Sequence, residues 1–231
     1  MTAHNDYDEA ARDYALHNEA NSFNAGYERP AVLAMVGEVM GKRVLDAGCG
    51  AGAHALELVA GGAKVTGLDA SAGMLAIAAD RLGPDVPLHN ADLAEPLPFA
   101  DGSFDVVLAS LVMHYLQDWV PTLAEFRRVL APGGRLVFST HHPSMPSPGR
   151  SDDYFAVHAF EEEWDVGGGR KMRMRFWHRP LRAIVRAIAE AGLTLVTLDE
   201  PEPDPAVEQS NPRAWGMLTT APRFLFVVAT A

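Results

Sequence analysis

Apolar residues along the chain occur in two patterns. Some form short unbroken runs, and others repeat at the helical period over longer stretches. Helical spacing over residues 6–39, interrupted by a turn-like segment at 24–26 and by Pro30, predicts two helices before the first strand. Short apolar runs separated by helical stretches then predict five strands, at 42–47, 64–69, 86–90, 104–110 and 135–140. Strands that alternate with helices indicate a parallel sheet with helices on both faces.

The pattern changes after Thr140. A loop rich in Pro and Ser is followed by two strand-like segments, 160–166 and 170–178, which flank three glycines and predict a hairpin. Residues 141–179 are therefore predicted to be an insertion over the sheet. A helix at 180–191, a sixth strand at 193–198, a short helix near 205–217 and a seventh strand at 224–229 complete the prediction. We expect one α/β domain over residues 1–231, with a Rossmann-like, seven-stranded, mostly parallel sheet and helices on both faces. The helix between the fourth and fifth strands is predicted to begin at Pro121 and to end at Gly133-Gly134.

Composition narrows the class of protein. The chain has 231 residues, of which 48% are apolar and 21% charged, as in ordinary globular proteins. No run approaches the roughly 18 apolar residues of a membrane span, and the acidic start does not resemble a signal peptide, so we expect a cytoplasmic protein. Cys49 is the only cysteine, which excludes an internal disulfide and a cysteine-based zinc site, and no metal site is predicted. A net charge of −11 disfavours nucleic acid as a partner.

A glycine-rich turn directly follows the first predicted strand. Gly48, Gly50 and Ala53 satisfy the relaxed dinucleotide fingerprint, and Asp69 ends the second strand about twenty residues later. The turn alone does not separate NAD from other adenosine cofactors. Asp46, two residues before the first glycine, suits a ligand with an ammonium group better than a pyrophosphate. The last two strands, which form a hairpin-like pair, also depart from the dinucleotide fold.

Five segments in order carry a resemblance to a known family. They are 44–52, 65–75, 90–99, 104–107 and 130–136. The sequence resembles the class I S-adenosylmethionine-dependent methyltransferases, in particular the small-molecule branch grouped with ubiquinone and menaquinone biosynthesis. The resemblance covers nearly the whole chain. It implies S-adenosyl-L-methionine as the cofactor, S-adenosyl-L-homocysteine as its product, and residues 1–40 as a helical lid.

The resemblance also implies a set of cofactor contacts. Asp69 would accept hydrogen bonds from both ribose hydroxyls, and Asp92 from the adenine amino group. Ala70 and Met74 would cover the adenine faces. The methionine portion would lie near Asp46, the glycine turn and the carbonyl of Ser110. The full predicted set is Tyr14, Asp46, Gly48, Cys49, Gly50, Asp69, Ala70, Met74, Ala91, Asp92, Leu93 and Ser110.

Methyl transfer needs a general base only when the attacking atom still carries a proton. Three candidates lie in loops after the fourth and fifth strands, His114, Tyr115 and His141, and His114 is the first choice because its segment resembles the family's loop beside the transferred methyl. The alternative is that His114 only packs or binds the backbone. The adjacent His141 and His142 are not a metal site, because neighbouring side chains on an extended chain point to opposite sides.

The insertion is the best place for the acceptor. Trp164, Phe176, Trp177 and His178 provide aromatic surface there. Residues 170–186 hold seven of the 19 Lys and Arg residues and no acid, which fits either a solvated surface or the recognition of an anionic acceptor.

The favoured function is methyl transfer to O, N or C of a small, aromatic or otherwise specialised metabolite. An NAD(P)-dependent reductase is one alternative, but the sequence has no Tyr-x-x-x-Lys pair, its lysines being only Lys42, Lys64 and Lys171. A nonenzymatic binding module on the same fold is another. The expected partner is a small-molecule acceptor, and the expected state is a monomer or homodimer.

Overall fold

A computed structural model describes residues 11–145, 151, 153–165 and 171–231, without the side chains of Tyr14, Ala20 and Asp165. The predicted cofactor contact of Tyr14 and the glycines of the predicted hairpin turn lie outside this description. The strands are β1 Arg43–Ala47, β2 Lys64–Asp69, β3 Leu88–Asn90, β4 Phe104–Ala109, β5 Leu130–His141, β6 His158–Asp165, β7 Lys171–His178, β8 Thr194–Asp199 and β9 Phe224–Thr230. The α-helices are α1 Ala11–Ala20, α2 Arg29–Val36, α3 Ala53–Ala60, α4 Ala72–Leu82, α5 Val120–Val129, α6 Leu181–Glu190, α7 Ala206–Ser210 and α8 Pro212–Leu218.

Seven strands form the main sheet in the order β3-β2-β1-β4-β5-β9-β8. β1 to β5 run parallel, and β9 pairs antiparallel with both β5 and β8. The predicted fold is therefore confirmed, including the antiparallel final pair that separates this order from the dinucleotide fold. Because the carboxyl ends of parallel strands share one edge of a sheet, the loops after β1 to β5 lie together.

The central strands are buried on both faces, which explains their nearly continuous apolar runs. Alternate residues of each strand pack into two separate core layers. Leu45, Val107 and Phe138 belong to one layer. Val44 and Val106 belong to the other. The helices on each face cover these layers.

Three elements, α5, β5 and β3, differ in their bounds from the prediction. α5 ends at Val129 and does not continue to Gly133 and Gly134, because Leu130 is already extended and Pro132 disfavours helical backbone at the residue before it. β5 accordingly begins at Leu130, where it pairs with Phe104, five residues earlier than predicted. β3 is shorter than predicted, with only three residues.

Capping residues fix other helix ends. Ser71 begins α4 as predicted, and its Oγ accepts a hydrogen bond of 3.1 Å from the backbone N–H of Met74. The helix predicted near 205–217 is divided into α7 and α8 at Asn211, whose side chain accepts from the backbone N–H of Ala214 at 3.1 Å. Pro30 lies in the first turn of α2, which follows a π-helical turn at Asn24–Glu28.

The predicted hairpin is present as the antiparallel pair β6 and β7. Along β7, Met172, Met174 and Phe176 are buried while the basic residues between them are exposed, as the alternation predicts. This buried face packs against the loop after β4, where a 3₁₀ turn spans Met113–Tyr115. None of the helices in the described ranges has the length and hydrophobicity that crossing a bilayer requires.

Candidate active site

A cavity of about 1630 Å³ lies at the carboxyl ends of the parallel strands. Single-ligand pockets typically have about 300–1,000 Å³, so this cavity has room for a cofactor and an acceptor together. Of the residues predicted from the sequence, those that line it are Gly48, Cys49, Gly50, Asp69, Ala70, Met74, Ala91, Asp92, Leu93, Ser110, His114, Tyr115 and His141.

The glycine turn has a backbone that other residues would strain. Gly48 and Gly50 have φ values of +79° and +52°, in the left-handed region. A Cβ atom at Gly48 would also lie 2.6 Å from a methyl group of Val112. The Asp69 carboxylate fixes the turn by accepting hydrogen bonds from the backbone N–H of Gly50 at 2.8 Å and of Ser71 at 2.9 Å. The turn and the end of β2 thus form one rigid wall of the cavity.

Asp46 lies behind this wall, 1% exposed, and is not among the residues that line the cavity. Burial raises the pKa of its carboxyl to about 6, although the nearby His54 opposes the shift. Its Oδ2 atom is buried and accepts no hydrogen bond. A buried oxygen without a donor is unusual, and it marks the position that an additional donor would occupy.

Glu28 is a functional candidate that the sequence did not suggest. Its carboxylate is fully buried and accepts hydrogen bonds from the hydroxyls of Ser110 at 2.8 Å and Ser139 at 2.5 Å. His54 Nε2 lies 3.1 Å from its other oxygen. Burial raises the pKa of Glu28, but His54 and the two hydroxyls outweigh burial and hold that pKa below its ordinary value. The pKa of His54 is raised by the same contact, against its burial.

This network connects distant parts of the chain at the cavity. Glu28 lies on the π-helical turn, His54 on α3, Ser110 after β4 and Ser139 within β5. The partners are separated by 26 to 111 positions in the sequence. No local spacing or motif connects residues so far apart, so sequence patterns alone could not reveal the network.

The predicted base His114 is 2% exposed and stacks on His141, with ring centroids 3.8 Å apart and planes 8° from parallel. Burial and the charge of His141 hold the pKa of His114 well below its usual range, so its imidazole is neutral at neutral pH. Phe176 contacts both rings edge-on, at 5.3 and 4.8 Å. His142 points away, and its Nε2 lies 2.6 Å from a carboxylate oxygen of Glu200, as the alternation of neighbouring side chains predicts.

Aromatic residues surround this pair. The ring centroids of Tyr115 and Phe176 are 5.3 Å apart, and those of Trp164 and Phe176 are 5.2 Å apart. Tyr115, Trp164 and Trp177 line the cavity. Cys49 also lines it, but burial raises the pKa of its thiol, which fits a small turn residue and not a nucleophile. Within the described ranges, no three His, Cys, Asp or Glu residues are grouped so that they could hold a metal ion.

Known proteins are similar to this chain in sequence and in fold. Residues 45–138 match the methyltransferase domain family. Over 138 residues the chain is 41% identical to demethylmenaquinone methyltransferase of Beutenbergia cavernae, covering 58% of this chain and 57% of that protein. Over 136 residues it is 42% identical to malonyl-[acyl-carrier protein] O-methyltransferase of Erwinia billingiae, covering 54% of this chain and 51% of that protein. The chain thus spans little more than half the length of these curated relatives.

A solved structure matches along almost its full length. It is an S-adenosylmethionine-dependent methyltransferase from Mesorhizobium loti, with a TM-score of 0.73 and 30% sequence identity. The match covers 92% of this chain and 99% of that one. The similarity therefore extends beyond the segment matched by the domain family.

Proposed function

The chain belongs to the class I S-adenosylmethionine-dependent methyltransferases, with S-adenosyl-L-methionine as cofactor, and from this premise we propose that it methylates a small acceptor. The methyl group would pass to O, N or C of the acceptor, with S-adenosyl-L-homocysteine as the second product. In this proposal residues 1–40 cover the cofactor and residues 141–179 cover the acceptor, within a single domain of 231 residues.

The cofactor-binding roles are supported by where the polar groups lie. Asp69 and Asp92 line the cavity at the ends of β2 and β3, in positions suited to the ribose hydroxyls and the adenine amino group. The buried carboxylate of Glu28, which lines the cavity, suits the methionine ammonium group, whereas the predicted direct contact of Asp46 is not retained because Asp46 lies behind the cavity wall. Arg29, whose buried Nε donates no hydrogen bond, suits the methionine carboxylate.

The cofactor, when bound, supplies an electrophilic methyl group on a sulfonium, so the protein has to align the acceptor and exclude water. His114 lies after β4, between the cofactor residues of β1 to β3 and the aromatic wall. Its neutral imidazole accepts a proton when the attacking atom still carries one. His141 and Tyr115 hold that ring in place by direct contact.

One observation carries the proposal: a single cavity joins the polar ends of β1 to β3 to a stacked histidine pair and an aromatic wall. The aromatic wall supports a small aromatic or apolar acceptor. The demethylmenaquinone and malonyl-carrier-protein relatives differ in their named substrates, so they support methyl transfer but no particular acceptor atom. Because the chain belongs to a methyltransferase family, methyl transfer is favoured over the alternative of an NAD(P)-dependent reductase.

A labelling experiment tests the proposal. The protein is incubated with S-adenosylmethionine that carries a deuterated methyl group and with a panel of phenols, amines and aromatic carbon acids. Mass spectrometry should detect a labelled acceptor and an equal amount of S-adenosylhomocysteine.

Asp69→Asn should weaken cofactor binding by about 1–3 kcal/mol, the effect of losing a charged hydrogen-bond acceptor. Asp85→Asn, at an exposed position outside the cavity, is the matched control.

The opposite results have distinct meanings. Cofactor binding with no transfer above the uncatalysed rate for any member of the panel would favour the nonenzymatic binding module. Unchanged affinity in Asp69→Asn would contradict the assignment of Asp69 to the ribose.

A further inference from the structure

Arg223 is a cation of the cavity that the proposed methyl transfer does not use. It lies directly before β9 and lines the cavity. Its Nε atom is buried and donates no hydrogen bond. Within the described ranges, its guanidinium forms no ion pair. The residue itself is half-buried, so its guanidinium is accessible from the cavity and keeps a donor for an anion that binds there.

The sheet order places Arg223 on the acceptor half of the cavity. The proposed cofactor residues follow β1, β2 and β3, whereas β5 and β9 lie on the other side of β4. Phe224 pairs with His141 across these two strands. The backbone N–H of His142 donates a hydrogen bond of 2.9 Å to the carbonyl oxygen of Arg223. This bond fixes the backbone of Arg223 beside the histidine pair.

Nearby carboxylates already have partners. Glu162, which lines the same half, accepts a hydrogen bond of 2.9 Å from Trp164 Nε1. Glu200 pairs with His142 at 2.6 Å. Neither one forms an ion pair with Arg223 in the part of the chain that the structure describes. Arginine presents a planar fork of donors that matches the two oxygens of a carboxylate or phosphate.

We propose that the acceptor is an aromatic molecule that carries an anionic group, and that Arg223 binds this group. The inference rests on the proposed function and specifies its substrate class. Tyr115, Trp164 and Phe224 line the cavity and offer surfaces for the acceptor's ring. Phe224 lies nearly parallel to His141, with ring centroids 6.2 Å apart, so a ring on this surface stays close to the histidine pair. Arg223 then determines specificity by selecting acceptors that carry negative charge.

Binding of simple probes to the protein saturated with S-adenosylhomocysteine tests this inference. The probes are benzoate, its neutral counterpart benzamide, and phenyl phosphate, at millimolar concentrations. Benzoate should bind the wild type more tightly than benzamide does. Arg223→Gln should weaken benzoate binding about tenfold or more, the loss expected for one charged pair, while the affinities for benzamide and S-adenosylhomocysteine stay unchanged. Phenyl phosphate in place of benzoate shows which anion the site prefers.

Arg213→Gln is the matched control, because Arg213 is exposed on α8, lies outside the cavity and carries the same charge. Arg223→Lys keeps the charge but loses the planar pair of donors, so it should retain part of the preference for anions. It replaces Arg223→Gln in the test if Arg223→Gln does not fold. Absence of anion binding, equal affinity for benzoate and benzamide, or equal weakening in the Arg223 and Arg213 variants would overturn the inference. Failure of the wild type to bind S-adenosylhomocysteine would count against the proposed function instead.

Discussion

Asp46 is a carboxyl group whose ionisation is opposed by its burial. Its pKa in the folded protein is about 6, above the ordinary value of 3.8, so the folded state holds the proton more tightly than the unfolded state. Ionisation therefore lowers the free energy of unfolding progressively as the pH rises from about 4 to about 6. Asp46 thus destabilises the cofactor-free fold at neutral pH.

The first prediction follows from this shift. Relative to the wild type, Asp46→Asn should gain about 2 kcal/mol in free energy of unfolding as the pH rises from 4 to 7, because the variant has no group to ionise. Urea denaturation of the cofactor-free protein at several pH values measures the difference. Asp80→Asn, at an exposed position on α4, should show no such trend. A constant difference between Asp46→Asn and wild type would show that Asp46 ionises normally.

His114 is buried with a depressed pKa, so it is already neutral where an ordinary histidine would be half protonated. The turnover rate should therefore fall only at a pH well below 6.5 if His114 is the general base. His114→Gln should lower kcat by about a hundredfold or more and leave the affinity for S-adenosylhomocysteine unchanged. His89→Gln changes a histidine outside the cavity and should leave kcat intact. Undiminished turnover in His114→Gln would mean that His114 only packs, or that the acceptor arrives deprotonated.

At the scale of elements, Ser139 connects β5 to the loop after β4. Its hydroxyl oxygen lies 2.5 Å from Glu28 Oε1 and accepts a hydrogen bond of 3.0 Å from the backbone N–H of Leu111. Leu111 has a φ of +46°, a left-handed conformation that is unfavourable for a leucine. The loop that carries His114 is therefore held in a strained turn by contacts from other elements.

Removal of this hydroxyl should loosen the turn. Ser139→Ala leaves the Leu111 N–H and one Glu28 oxygen with fewer partners, and we expect it to lower the free energy of unfolding by about 1–3 kcal/mol. Ser210→Ala removes an exposed hydroxyl that bonds only within α7, and should have little effect. Urea denaturation of both variants measures the contrast. Equal stability of the two would show that the Glu28 network does not support the loop.

The sequence predicted some elements better than others for physical reasons. β1, β2 and β4 are close to their predicted bounds, because strands buried on both faces are continuous apolar runs. The start of β5 was missed because Leu130 pairs with Phe104 of β4, which is a tertiary contact. Glu28 was missed for the same reason, since its partners come from three other elements. Local patterns predict local structure, and long-range hydrogen bonds lie beyond them.

Across the whole molecule, the strand order divides the cavity into the proposed cofactor half and the proposed acceptor half. Polar turns after β1, β2 and β3 form one half, and β5, β9 and the hairpin form the other. The glycine turn and Asp69 were predictable because they occur in a short segment with fixed spacing. The acceptor half draws on segments that are distant in sequence, so its composition suggested an aromatic pocket without showing which residues meet.

Thermal unfolding with four ligands is the measurement that shows whether the cavity binds S-adenosyl compounds. S-adenosylmethionine, S-adenosylhomocysteine, NAD⁺ and NADPH are compared at equal concentrations. A ligand at about 100 times its dissociation constant adds about 2.7 kcal/mol, which raises the unfolding temperature of a chain of this size by several degrees. We predict that only the two S-adenosyl compounds produce this rise. A rise with NAD⁺ or NADPH alone, or with none of the four, would contradict this prediction.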